Sequence, residues 1–154
     1  MNNFQRIGSI SNAHAGRDFE EIAKEYFESA GLPLEKDYSV AIGFDRVKKN
    51  HKFDLGGKSN ENIMFVVECK SHKWTSGDKV PSAKITVWNE AMLYFSLLSE
   101  EINKISFVLK DKSHKRQETL AEYYIRTHNH LIPKGVKIME YDDKCNEVSL
   151  LYNS

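Results

Sequence analysis

No apolar run in this chain approaches the roughly 20 residues that cross a bilayer, so no membrane partner is expected. Nothing after Met1-Asn-Asn-Phe-Gln-Arg6 resembles the apolar centre of a secretory signal. Cysteine is scarce: Cys69 and Cys145 are the only two, far apart and in no CxxC pair. That excludes a disulfide scaffold or a zinc knuckle and points to a reducing cytoplasm. His128 and His130 alternate instead of standing four apart, and no third ligand accompanies them, so zinc is not expected. Ser-His-Asp chemistry has no nucleophile elbow to support it. Internal repeats, low-complexity segments and linkers are absent too. So is net charge, since 22 Lys and Arg are balanced by 22 Asp and Glu.

What remains is one ordinary domain's worth of chain, residues 1–154, with 40% hydrophobic residues to build a core. The balanced charge is unevenly spread. Between Arg46 and Lys84 nine Lys and Arg face four acids, and between Lys104 and Gln117 five face one. Asp18 to Asp37 carries seven acids against two lysines. A basic centre beside an acidic first helix describes a polarised surface that suits a polyanion over its middle.

Apolar residues recur at helical spacing from Ala13 to Ala30 (Phe19, Ile22, Ala23, Tyr26, Phe27), and Gly31 is a natural stop. Lys36 to Phe44 alternates as a strand, and Lys52 to Leu55 is a short one. Gly56 to Asn62 reads as a turn-rich connection. Ile63 to Lys70 is the most apolar strand and is expected at the sheet centre. Ser71 to Pro81 is a polar loop. A helix within Ala83 to Ser99, a strand at Lys104 to Leu109 and a helix at Glu118 to Leu131 follow. A hairpin of Val136 to Tyr141 and Val148 to Tyr152 closes the chain. The order α-β-β-β-α-β-α-β-β predicts an α/β fold with a central mixed sheet flanked by helices.

Chemistry concentrates in His51-Lys-Phe-Asp54-Leu-Gly-Gly and in Ile63-Met-Phe-Val-Val-Glu68-Cys-Lys70. Side chains alternate along a strand, so Glu68 and Lys70 share a face and Cys69 points away with Val67 and Phe65. Asp54, between Phe53 and Leu55, is expected to face away from both, where an antiparallel connection brings it beside Glu68. Two carboxylates and one ammonium then converge at the end of an apolar strand. Two such carboxylates repel unless a cation sits between them. Hard oxygen ligands suit Mg²⁺, with Mn²⁺ able to substitute. Asp142-Asp143-Lys144 also has the acid-x-Lys pattern, but it lies in a polar turn. Glu68-Cys-Lys70 differs because it ends five apolar residues.

This text resembles the PD-(D/E)xK nuclease superfamily, which includes restriction endonucleases, Mrr-like enzymes and Holliday-junction resolvases. The proline of the motif is replaced here by Phe53. Gly16-Arg-Asp-Phe19-Glu20 looks like the G-x-x-F-E first helix of the Mrr and resolvase branches. The resemblance covers Ala13 to Leu109 and implies a restriction-endonuclease-like αβββαβ core, here with a C-terminal helix and hairpin added. It implies a Mg²⁺-dependent endonuclease, hydrolysing phosphodiester bonds in nucleic acid, DNA foremost. Carried over, Asp54, Glu68, Lys70 and Glu20 form the catalytic set, and Asp54, Glu68, Glu20 and the Cys69 carbonyl are the metal ligands. On a helical wheel with Phe19 at zero, Glu20 falls at about 100° on the shoulder of the buried face, and Glu21 at about 200° on the solvent side.

Lys48, Lys49 and Lys52 in the basic centre, together with His72, Lys73, Lys79 and Lys84, are candidate phosphate contacts. Trp74 is a candidate stacking platform for a base or sugar. Trp88-Asn89-Glu90-Ala-Met-Leu-Tyr94 falls where some relatives carry Gln-x-x-x-Tyr, with Glu90 in place of the glutamine, so no role is carried over. A duplex cutter with one site per chain is expected to act as a homodimer. Two other readings stand beside the nuclease: a non-catalytic DNA-binding or assembly module of the same fold, and a nuclease toxin domain acting on RNA or DNA.

Overall fold

The computed structural model describes residues 12–154, with side chains from Asp18 onward; the N-terminal stretch that lacks a signal-like centre lies outside the described residues. Among the described residues, three helices and eight strands alternate as α1 (Asn12–Ser29), β1 (Glu35–Ile42), β2 (Lys49–Lys58), β3 (Met64–Lys70), α2 (Ser82–Ser96), β4 (Asn103–Leu109), β5 (Lys112–Ser113), β6 (Glu118–Thr119), α3 (Leu120–His128), β7 (Val136–Asp142) and β8 (Glu147–Asn153). A single turn of 3-10 helix, Asn129–Leu131, follows α3. Six strands form one mixed sheet in the order β1-β2-β3-β4-β7-β8, and β5-β6 form a separate two-stranded ribbon. β1, β2 and β3 are an antiparallel meander, β3-β4 and β4-β7 are parallel, and β7-β8 is an antiparallel hairpin. Each parallel pair needs a crossover, and α2 and α3 provide them. The expected α/β class and the central place of β3 are both observed.

The sheet separates two cores. Phe19, Ala23 and Phe27, spaced four apart on α1, pack with Leu55, Val67, Ile105 and Phe107 on one face. Phe107 is the hub of an aromatic group, with ring centroids 5.5 Å from Phe19, 5.7 Å from Tyr26 and 5.6 Å from Phe27. On the other face α2 and α3 bury Trp88, Met92, Phe95, Leu120 and Tyr124 against Phe53, Val66 and Val108. Gly31, at φ 87°, ends α1 in the left-handed cap that glycine adopts without steric cost. Thr119 starts α3 with a capping box, its side chain accepting from the Glu122 amide while the Glu122 carboxylate accepts from the Thr119 amide. That cap sets the helix start at Leu120, two residues later than the expected Glu118.

One expected connection is strand instead. Gly56 and Gly57 pair with Val66 and Phe65, so β2 runs on to Lys58. The reason lies across the sheet. A Cβ on Gly56 would sit 2.3 Å from the Tyr38 ring, so glycine here admits an aromatic cover and marks no turn.

Candidate active site

The β2-β3 ladder runs from Lys58↔Met64 to Leu55↔Val67 and then stops. The next level is Asp54 and Glu68, and there side chains replace backbone. The Asp54 amide donates to Glu68 Oε2 at 3.2 Å, and the Cys69 amide donates to Asp54 Oδ2 at 2.7 Å. Each carboxylate thus holds the opposite strand where the two part. The strand also turns over at this level. Leu55 packs in the α1 core and Phe53 in the α2 core, although regular alternation would put them on one face. Asp37, level with Asp54 on β1, adopts a φ of 54° at the same height. The expectation that Asp54 faces away from both neighbours is therefore corrected: Phe53 and Leu55 lie on opposite faces, and Asp54 stands at the switch between them.

Glu68 is buried, with 6% exposure, and Lys70, two residues on, has 9%. Lys70 Nζ stands 3.5 Å from Glu68 Oε1. Burial, reinforced by the Asp54 charge and opposed by Lys70, pushes the Glu68 carboxyl up to about 7. A cation between Asp54 and Glu68 would reverse that shift.

A cleft of about 520 Å³ opens beside this pair, at the carboxyl end of β3. Asp54, Cys69, Lys70, His72, Lys73 and Lys84 line it, and so does Glu20 from α1. Glu21, one residue on, is drawn to the Lys36 ammonium of β1 instead. The helix register thus separates the two glutamates as the wheel expects. Glu20 is close enough for its charge, with those of Asp54 and Glu68, to reinforce the upward push of burial on the Cys69 thiol. Among the described residues, no three His, Cys, Asp or Glu side chains are gathered closely enough to hold a metal ion between them. The donor set is nonetheless a hard-oxygen one, and Mg²⁺ is commonly held by one or two carboxylates with water completing its shell. Asp54 and Glu68 fit that requirement, and Glu20 and Cys69 line the cleft with Asp54.

His72 differs from a cationic phosphate contact. Its Nδ1 accepts the Trp88 indole N–H at 2.9 Å. Burial, with help from Lys70 and Lys84, lowers its pKa to about 4. The neutral ring that accepts at Nδ1 carries its proton on Nε2, so His72 offers a fixed neutral donor.

Other expected contacts do not line the cleft. Trp74 is turned onto the body of the protein: its backbone and indole N–H groups both bond Asp111, Tyr123 meets its edge, and the Arg116 guanidinium sits 4.9 Å over its ring. That corrects the stacking-platform expectation. Lys79 closes a small bridge with Thr75. Lys48, Lys49 and Lys52 are exposed on the β1-β2 hairpin, with Lys48 Nζ bonded to the Gly43 carbonyl at 3.1 Å. None of the three lines the cleft.

His51, which opens the Asp54 motif, has no role that sequence reasoning reveals. Its ring lies between Phe53, at 4.6 Å, and Tyr94, at 3.9 Å, with Nε2 4.0 Å from Glu68 Oε2. Nε2 is buried without a hydrogen-bond partner. Glu90 lies four residues before Tyr94 on α2, and its charge reaches both Tyr94 and His51. The helical spacing of Glu90 and Tyr94 is the available signal. The pairing with His51 depends on the fold. In comparison with known proteins, the chain matches no family model and no curated protein.

Proposed function

We propose that this chain is a divalent-metal-dependent nuclease with a restriction-endonuclease-like fold, hydrolysing phosphodiester bonds in nucleic acid, DNA foremost. The observation that carries the reading is the tie between Asp54 and Glu68 across two parting strands, with the Lys70 ammonium beside them at the end of a cleft. The order α1-β1-β2-β3-α2-β4, an antiparallel meander followed by a parallel crossover, supports placing it with the PD-(D/E)xK nucleases. Asp54 and Glu68 would hold the metal, with Glu20 and the Cys69 carbonyl as further ligands. A divalent cation bound there supplies Lewis-acid polarisation of the phosphodiester.

The chain's own groups divide the remaining work. Lys70, held against Glu68, places positive charge where it grows negative on the phosphate, a contribution of order 10²–10³ in rate for one such group. The Asp54 contact to the Cys69 amide fixes the carboxylate before substrate arrives. Lys73 and Lys84 on the cleft rim meet flanking phosphates as point charges, and the His72 Nε2–H adds a neutral donor. A homodimer accounts for concerted cutting of both strands.

One observation favours a second reading, a non-catalytic nucleic-acid module: no three ligand side chains are gathered among the described residues. Titration with Mn²⁺ separates the two. The nuclease reading expects saturable binding by the wild type that is lost in Glu68→Ala. Absence of binding by the folded wild type favours the module.

A further inference from the structure

The β1-β2 turn exposes two large apolar side chains, Phe44 at 71% and Val47 at 81%, more than any other large hydrophobic residue described. The turn that presents them is tightly built. The Val47 amide donates to the Phe44 carbonyl at 3.1 Å, and Lys48 Nζ ties back to the Gly43 carbonyl at the same distance. Gly43, at φ 147°, admits no side chain, since a Cβ would lie 2.0 Å from the Val47 carbonyl oxygen. Closure of this backbone throws Phe44 and Val47 outward. Around them stand Arg46, Lys48 and Lys49, all exposed, against the single acid Asp45. An apolar point ringed by cations fits a polyanion that also offers apolar faces, which is a description of nucleic acid. A second copy docked tip to tip fits less well, because it would bring like charges together.

We propose that this hairpin tip is a duplex-binding element in its own right, with Phe44 and Val47 pressing on bases and Arg46 and Lys49 on the adjoining phosphates. The proposal rests on the nucleic-acid reading of the cleft. Asp54 is seven positions on from Val47, so the tip lies within roughly 25 Å of the carboxylate pair. One duplex turn is about 34 Å. The tip and the carboxylate pair are thus closer together than one duplex turn is long.

The test is fluorescence anisotropy of a labelled 30-base-pair duplex, in EDTA, from about 50 to 200 mM salt. Phe44→Ala/Val47→Ala changes only exposed side chains and should fold. It is expected to bind about ten- to a hundredfold more weakly with the salt dependence unchanged, because no phosphate contact is removed. Arg46→Gln/Lys49→Gln is expected to lower the log–log salt slope by about 0.9 for each charge. Wild-type affinity in Phe44→Ala/Val47→Ala overturns the proposal while leaving the cleft reading intact. So does sedimentation in which that variant only converts a dimer to a monomer. A wild-type protein that binds no nucleic acid in EDTA overturns the proposal, and the cleft reading is then judged separately, by cleavage in Mg²⁺.

Discussion

Glu68→Gln is expected to stabilise the protein at alkaline pH and to lose that advantage in acid. In the folded chain Glu68 titrates at about 7, against 4.5 without its surroundings. Between those values the unfolded chain ionises the carboxyl and the folded chain does not, so wild-type stability falls as pH rises from 4.5 towards 7 and stays reduced above it. The shift corresponds to roughly 2–3 kcal/mol between about pH 5 and pH 8. Glutamine keeps the shape and cannot ionise. It forgoes the ion pair with Lys70, which the wild type also forgoes once Glu68 is protonated. The difference between the two pH values therefore isolates the charge. For a chain of this length the relative gain is about 5–10 °C in Tm. The assay is thermal unfolding of both proteins by circular dichroism in EDTA at the two pH values. A Tm difference that does not change with pH, or that shrinks at pH 8, refutes the reasoning.

Glu20→Gln should weaken Mn²⁺ binding well beyond Glu21→Gln, because Glu20 lines the cleft and Glu21 is engaged by Lys36; calorimetric titration of both variants checks it, and equal effects contradict it. His72 should remain neutral, with its proton on Nε2, from pH 8 down to pH 5, since burial and two lysines hold it at about 4. Nitrogen-15 NMR reads the tautomer directly, and a midpoint near 6.5 is the contrary result. Because the unfolded chain protonates this histidine first, His72 lowers stability as pH falls from 6.5 towards 4. Phe107→Ala should cost about 3–5 kcal/mol by emptying the centre of the α1 core; urea unfolding measures it, and a loss under 1 kcal/mol contradicts it.

Periodicity finds the three helices of the described residues and the six strands of the main sheet, because a half-buried helix or strand writes its burial into its sequence. Glu68 and Lys70 are legible for the same reason: a charged pair ending an apolar run has no ordinary place on a surface. The errors occur where the decisive contact is remote in sequence. Gly56 looks like a turn until Tyr38 is laid across it. Trp74 looks available until Asp111, 37 residues on, takes both its N–H groups. Leu55 and Phe53 part company because the sheet opens between them, and no local pattern records that. His51 gains a place beside Glu68 only when α2 brings Tyr94 against its ring. The β5-β6 ribbon, two residues a side, is too short for alternation to reveal.

The central claim is that Asp54, Glu68 and Lys70 form a metal-dependent phosphodiesterase site. It is tested most directly by incubating the wild type and the folded variants Glu68→Ala and Lys70→Met with plasmid, linear, single-stranded and branched DNA and with RNA, each in Mg²⁺, Mn²⁺ or EDTA. The account predicts cleavage by the wild type of at least one DNA substrate in Mg²⁺ or Mn²⁺, none in EDTA, and a loss of order 10²-fold or more in each variant. Cleavage in EDTA, or wild-type rates from folded Glu68→Ala, would contradict it.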